Sequence, residues 1–203
     1  AGEAGGPGRL RGVGARTAPG WCYEGRMLPR WKKLSSEVVL DNPWWRYRKD
    51  RFEYEPGKQG EYHYASTYGS AMVIPVTPQG ELVLVEQYRY LMDRVSLEFP
   101  CGGVCENEPP LTAAARELAE ESGCQAELQS LGTFTPWNGV TDELCHVYLA
   151  DPVRPDDSGA RPDATERFVI HRMSRSAFEA RVAAGEVWDG MTLAAYALYR
   201  MRF

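Results

Sequence analysis

The chain has 203 residues, 43% hydrophobic and 25% charged, which is enough to bury one sizeable core and too little for several. Its net charge of −5 and pI near 5.3 speak against a nucleic-acid partner, because phosphate contacts need clustered Lys and Arg. No apolar run approaches the ~20 residues that a membrane-spanning helix needs, and no secretory apolar segment opens the chain, so a soluble protein with no membrane partner is expected. The five cysteines, at 22, 101, 105, 124 and 145, contain no C-x-x-C pair, and the histidines at 63, 146 and 171 make no zinc spacing with them. Reduced, mostly buried thiols and a cytoplasmic location follow, with a Cys101–Cys105 bridge or soft-metal pair as the minor alternative.

In chain order, residues 1–30 read as an extension whose Gly, Ala, Arg and Pro leave little to bury, so disorder is expected there. Ser35–Leu40 has strand character. Trp44–Tyr54 partly alternates aromatic and charged residues, EPGKQG is a turn, and EYHYAS alternates again, which together predict a β-hairpin. Residues 31–66 are therefore expected to form an N-terminal β region ahead of a main domain over 67–203. Rings on strands are first of all packing residues. Five of them, Trp44, Trp45, Tyr47, Tyr62 and Tyr64, also offer flat faces on which a purine can stack. Next, Ala71–Val76 and Leu82–Gln87 flank TPQGE and read as buried strands of a central sheet.

The segment GGVCENEPPLTAAARELAEESGC, 102–124, holds a helix by its own composition. Ala113, Ala114, Ala115, Leu118 and Ala119 are strong helix formers, Pro110 suits the first turn, and Gly123 is a natural stop. Glu117, Glu120 and Glu121 then share one face of it. Their charges repel one another and sit at the negative end of the helix dipole, with no Lys or Arg in that turn to offset them. A hard divalent cation such as Mg²⁺ resolves that conflict, because it binds one or two carboxylates and is completed by water and substrate phosphates. Gly102 and Gly103 let the backbone turn and approach a ligand closely.

Beyond the helix, Ala126–Phe134 and Leu144–Leu149 read as strands, and the Pro- and Asp-rich stretch 151–166 is long enough to be a functional loop. A strand at RFVIH, a helix over Ser176–Ala184, a turn at Gly185–Gly190 and a closing helix from Thr192 complete the chain, with Leu193, Tyr196 and Leu198 packing inward.

Gly102, Glu108, Arg116, Glu117, Leu118, Glu120, Glu121 and Gly123 occur at the spacing of the Nudix box, and the segment resembles that signature of the Nudix hydrolase family. Cys124 and Pro109 are its departures. The resemblance extends over roughly residues 40–203 and points to the ADP-ribose pyrophosphatase branch. Gln87-Tyr88-Arg89, followed by Glu98-Phe99-Pro100-Cys101-Gly102-Gly103, is similar to that branch's Q-x-R and E-(L/F)-P-A-G-G segments. Pro136, Gly139, Thr141, Asp142 and Glu143 match a further segment, from which Trp137 and Asn138 depart.

The resemblance implies an α/β/α sandwich with a mixed sheet, preceded by an antiparallel sheet that binds the substrate's base and takes part in a homodimer. It implies Mg²⁺, with Mn²⁺ as the alternative, held by Glu117, Glu120, Glu121 and the Cys101 carbonyl. Arg116 would pair with Glu108 or Glu120, leaving Glu108 a structural role. Arg89 would hold substrate phosphate or ribose and Glu98 would support the metal site. Trp44, Trp45 and Tyr62 are candidates for the adenine contact. Glu166, with Asp163 in reserve, and Glu143 are the candidate bases, and Asp142 is a turn residue. The expected reaction is hydrolysis of ADP-ribose to AMP and ribose 5-phosphate. Another nucleoside diphosphate sugar is the alternative substrate, and a non-catalytic nucleotide-sugar sensor is the alternative class.

Overall fold

The computed structural model describes residues 22–23, 26–162 and 167–203. Its elements in chain order begin with two short antiparallel strands, β1 (Cys22–Tyr23) and β2 (Arg26–Met27). Three long strands follow, β3 (Lys32–Asp41), β4 (Arg46–Glu55) and β5 (Lys58–Ser66), paired as an antiparallel meander. Then come β6 (Ser70–Pro75), β7 (Leu82–Arg89), a 3₁₀ turn (Tyr90–Met92), β8 (Arg94–Glu98) and β9 (Cys101–Gly103). The helix α1 (Pro110–Ser122) leads into β10 (Cys124–Gln125), β11 (Leu128–Phe134), β12 (Cys145–Ala150) and β13 (Arg154–Pro155). β14 (Val169–Met173), α2 (Arg175–Ala183) and α3 (Gly190–Arg200) close the chain.

β6 is the central strand, buried along its whole length. It pairs parallel with β12 and antiparallel with β9, giving a mixed sheet in the order β11-β12-β6-β9. β7 joins β8 and β14 in a second, antiparallel sheet. The two-residue alternation of β6 divides the core. Met72 and Ile74 pack with Leu131, Val147, Phe178, Tyr196 and Tyr199, the cluster that carries α2 and α3. Ala71 and Val73 pack with Ala113, Ala114 and Leu118 of α1 on the other face. β7 divides the same way, with Leu82 and Leu84 on the first face and Val83 on the second. The result is an α/β/α sandwich with a three-stranded antiparallel sheet ahead of it.

The strands expected at 71–76 and 82–87 are present and share both core clusters, but they enter different sheets and their backbones pair only at a bridge between Val76 and Leu82. β8 and β9 were not expected: the polar–apolar alternation of Arg94-Val95-Ser96-Leu97-Glu98-Phe99 was an available signal for β8, whereas β9 is three residues, two of them Gly, with no pattern of its own. Much of the predicted extension, 1–21 and 24–25, lies outside the described residues. Among the described residues no helix is long and apolar enough to cross a membrane.

Candidate active site

α1 starts where Pro110 occupies its first turn and ends where Gly123 turns left-handed at φ 63°, its N–H capping Ala119 O at 3.0 Å. The helix buries Ala113, Ala114, Leu118 and Ala119, and with them Glu117 and Glu121, which remain only 8% and 6% exposed. Glu120 is half-buried beside them. Two carboxylates on the inward face of a helix demand specific partners, because an unpaired buried charge costs several kcal/mol. β9 supplies part of the answer. The Cys101 N–H donates to Glu121 Oε2 at 2.9 Å. The Glu117 carboxylate lies over Gly102 so closely that a β-carbon there would land on it, which is the physical reason for glycine at this position.

Arg116 supplies another part, to Glu117. Its guanidinium donates to Glu108 at 3.2 Å, to Glu117 at 2.6 Å, to Glu120 at 3.1 Å and to the Gly103 carbonyl at 3.0 Å. The sequence predicted Glu108 or Glu120 as its partner; the structure gives both, and Glu117 as well. Glu108 also accepts from the Cys105 N–H at 2.9 Å. Arg116 and that N–H hold its carboxyl below the usual carboxylate range. The guanidinium's own pKa is driven up, first by Glu108. One guanidinium against three carboxylates leaves a local charge of 1 − 3 = −2, and Glu121 in the next position adds to it. This surplus, with oxygen donors packed on a glycine-bearing strand, fits a hard divalent cation. Among the described residues no three His, Cys, Asp or Glu side chains converge as a ready-made metal cluster, and Arg116 bonds to both Glu117 and Glu120.

Cys101 is half-buried and Cys105 exposed, and both thiols are free, as are the buried Cys124 and Cys145. Contact with Cys145, burial, and the Glu121 and Glu117 carboxylates push the Cys101 thiol well up.

Glu98 is almost wholly buried at the end of β8. It accepts a bidentate pair from Arg89, with Nε at 2.8 Å, and a further bond from Gln87 Nε2 at 3.3 Å. Arg89 is thus oriented by Glu98, with its guanidinium partly open to solvent. Gln87 belongs to the Q-x-R segment, where the sequence alone implies no role for it. The register of β7 on β8 shows why it has one: Gln87 lies opposite Ser96, two residues before Glu98.

The turn before β12 joins the N-terminal sheet to the sandwich. Asp142 accepts from Ser66 Oγ at 2.7 Å and from the Thr67 N–H at 3.1 Å, and the Ala65 N–H donates to the Val140 carbonyl at 2.9 Å. Tyr62 donates its hydroxyl to the Gly139 carbonyl at 3.0 Å. Asp142 therefore does more than shape a turn: it clamps β5 to this loop, a role invisible in the sequence because its partners lie about 75 residues away. Glu143 accepts from Ser70 Oγ at 2.7 Å at the start of β6. Trp44, Trp45 and Trp137 are exposed, and Asn138 lies beside Trp137 in the same turn. Glu166 and Asp163 lie outside the described residues. Asp189, which the sequence reading left without a role, caps α3 by accepting from the Thr192 N–H at 2.7 Å; the Asp-Gly-x-Thr pattern was its available signal.

The family model for the NUDIX domain matches residues 67–185. Over 136 residues the chain is 29% identical to the methanol dehydrogenase activator of Bacillus methanolicus, covering 66% of this chain and 74% of that protein. Over 143 residues it is 30% identical to the ADP-ribose pyrophosphatase of Bacillus subtilis, covering 70% and 76%. A crystal structure described as an ADP compounds hydrolase superposes with a TM-score of 0.74 at 20% identity, over 87% of this chain and 95% of that one, a likeness of fold. With the family match spanning 119 of 203 residues (185 − 67 + 1) on top of the α1–β9 carboxylate cradle, the chain belongs to the Nudix family of hydrolases.

Proposed function

We propose that this Nudix hydrolase cleaves the diphosphate bond of ADP-ribose, releasing AMP and ribose 5-phosphate. The observation that carries the reading is the pair of buried carboxylates, Glu117 and Glu121, held against the Cys101–Gly103 backbone. The pyrophosphatase name of the Bacillus subtilis relative supports the substrate class.

Glu117 and Glu121 would hold Mg²⁺, or Mn²⁺ in its place, with Glu120 and the Cys101 carbonyl as the adjoining donors. When bound, such a cation neutralises phosphate oxygens and lowers the pKa of the attacking water. Arg116 fixes the orientation of Glu117 and Glu120, and Glu98 aims the Arg89 guanidinium at the substrate's phosphate or ribose. Glu166 or Glu143 takes the proton from water; Glu143 is kept in place by Ser70. Trp44, Trp45 and Tyr62 receive the adenine, the last with its ring fixed by the bond to Gly139. A second copy of the chain would cover β3, whose ten residues are all exposed, among them Leu34, Val38, Val39 and Leu40. Free thiols accord with a cytoplasmic setting.

A second substrate reading, another nucleoside diphosphate sugar, is favoured by one observation: the Trp137–Asn138 turn stands exposed where it can meet a different group. Chromatographic product analysis with Mg²⁺ and a panel of ADP-ribose, other nucleoside diphosphate sugars, dinucleoside polyphosphates and nucleoside triphosphates tests both. AMP and ribose 5-phosphate forming fastest from ADP-ribose, and not with Glu121→Gln, is the expected result. Faster cleavage of another diphosphate replaces the substrate, and no cleavage of any overturns the proposal.

A further inference from the structure

Between the end of β8 at Glu98 and the start of β9 at Cys101, the chain passes from one sheet to the other through Phe99 and Pro100. Residues that cross between ladders must place their backbone polar groups elsewhere, and Pro100 has no N–H to place. The Pro100 carbonyl accepts from the Val73 N–H of β6 at 2.9 Å. The Phe99 N–H donates to Thr192 Oγ1, 93 residues away in the first turn of α3, at 3.3 Å. Phe99 and Thr192 are both 0% exposed, so bulk water does not stand in for that hydroxyl.

We propose that Thr192 is a positioning residue of the cation site: through the Phe99–Cys101 segment, its hydroxyl sets where the Cys101 N–H meets Glu121. The proposal rests on the reading of Glu121 as a cation ligand and extends that site to α3, which gives it no donor directly.

The links between the two ends are few and stiff. Cys101 follows Pro100, whose ring fixes φ, and the peptide units on either side are planar. The Cys101 N–H then donates to Glu121 Oε2 at 2.9 Å. The Phe99 ring packs 5.5 Å from Phe178 and 6.5 Å from Tyr196, centre to centre. Apolar contact of that kind holds the ring in the core without aiming the backbone; the hydrogen bond to Thr192 is the directional restraint. Thr192 is itself held. Its N–H donates to Asp189 Oδ2 at 2.7 Å, and its branched β-carbon limits its rotamers. Just ahead of it, the Trp188 indole N–H donates to the Val95 carbonyl at 3.1 Å, with the Arg94 guanidinium 3.8 Å from the ring centre. The start of α3 is thereby tied to β8, the strand that enters the crossing.

Three variants separate positioning from packing. Thr192→Val keeps the shape and removes the acceptor, and Thr192→Ser keeps the oxygen. Leu131→Val opens a cavity in the core cluster that also holds Phe99, yet makes none of these bonds. Mn²⁺ affinity is read by electron paramagnetic resonance and stability by thermal melting. Thr192→Val is expected to weaken Mn²⁺ binding about 10-fold, and to lower Tm by roughly 5 °C through the unpaired Phe99 N–H. Thr192→Ser is expected to stay within about two-fold of the unmodified protein in Mn²⁺ affinity, and Leu131→Val to lose stability with that affinity unchanged. Where Thr192→Val does not fold, Thr192→Ala carries the same expectation. Equal Mn²⁺ affinity in the folded Thr192→Val and unmodified proteins overturns the proposal, as does a Thr192→Ser protein as weak as Thr192→Val. An equal loss in Leu131→Val overturns it too, because general loosening of the core then accounts for the effect. If the unmodified protein binds no Mn²⁺, or Glu121→Gln binds it equally well, the cation reading falls first and takes this inference with it. If Glu121→Gln loses affinity and Thr192→Val does not, this inference alone falls.

Discussion

The inner face of α1 and the outer strand of the N-terminal sheet break the same rule in opposite directions. α1 buries carboxylates, whereas β3 exposes Leu34, Val38, Val39 and Leu40 to solvent along a strand with no buried residue. Both arrangements are costly for an isolated chain, one through desolvated charge and the other through uncovered apolar surface. The difference lies in what relieves each cost. In α1 the relief is largely internal and rigid: Arg116, the Cys101 N–H and the glycine strand fix the carboxylates before any ligand arrives. On the N-terminal sheet the described residues leave β3 uncovered, and in the function proposed above the relief is a base stacked on a ring or a second copy of the chain. The α1 side should therefore control turnover and the N-terminal side binding.

The sharpest way to break that division is Glu121→Gln, which keeps the shape and the Cys101 N–H partner but removes the charge. Turnover is expected to fall by about 10²–10³-fold, with the melting temperature little changed. Retained turnover would place the chemistry elsewhere. Next comes Gly102→Ala. Its β-carbon meets the Glu117 carboxylate, so overpacking of about 1–3 kcal/mol should lower Tm by roughly 5 °C and kcat by more than ~10-fold, both read on one preparation. On the other side of the comparison, Trp45→Ala should raise KM about 10-fold with kcat nearly constant, because one base–ring stack contributes ~1–3 kcal/mol. A fall in kcat with unchanged KM would show that the N-terminal sheet is not a binding surface.

The smallest expected effect is on acid stability. Arg116 holds the Glu108 carboxyl below its ordinary value, so this pair stabilises the fold above the unfolded pKa of ~4.3 and loses its contribution as pH falls through the lower, folded value. Glu108→Gln should remove about 1 kcal/mol or less at pH 7 and flatten the acid limb of a Tm-versus-pH curve. An acid limb unchanged by the substitution would show that the pair contributes nothing to stability.

What was legible in the sequence was local. α1, its Pro110 start and its Gly123 stop follow from propensity and capping within one segment, and the hairpin β4–β5 follows from alternation around a turn. The end of β11, β12, α2 and α3 all lie within a residue or two of their expected limits. The contacts that fix the site are of the other kind. Glu98 with Gln87 and Arg89 depends on the register of β7 against β8, which no single-strand pattern encodes. The Asp142 clamp on Ser66 and the Glu143 bond to Ser70 join positions more than 70 residues apart. Gly102 was expected to permit a close approach to a ligand; in the structure the group pressed against it is the protein's own Glu117. β9 escaped because its strand character comes from pairing with β6 and not from its own Cys-Gly-Gly, whereas β8 carried a legible alternation over residues 94–99.

The central claim, that the inner carboxylates of α1 form a divalent-cation site, is tested most directly by titrating Mn²⁺ into the protein and following the free ion by electron paramagnetic resonance, with Glu117→Gln and Glu121→Gln as comparisons. The account predicts saturable binding by the unmodified protein, weakened at least ~10-fold in each variant while both stay folded. Mn²⁺ binding of equal strength in all three proteins would contradict it.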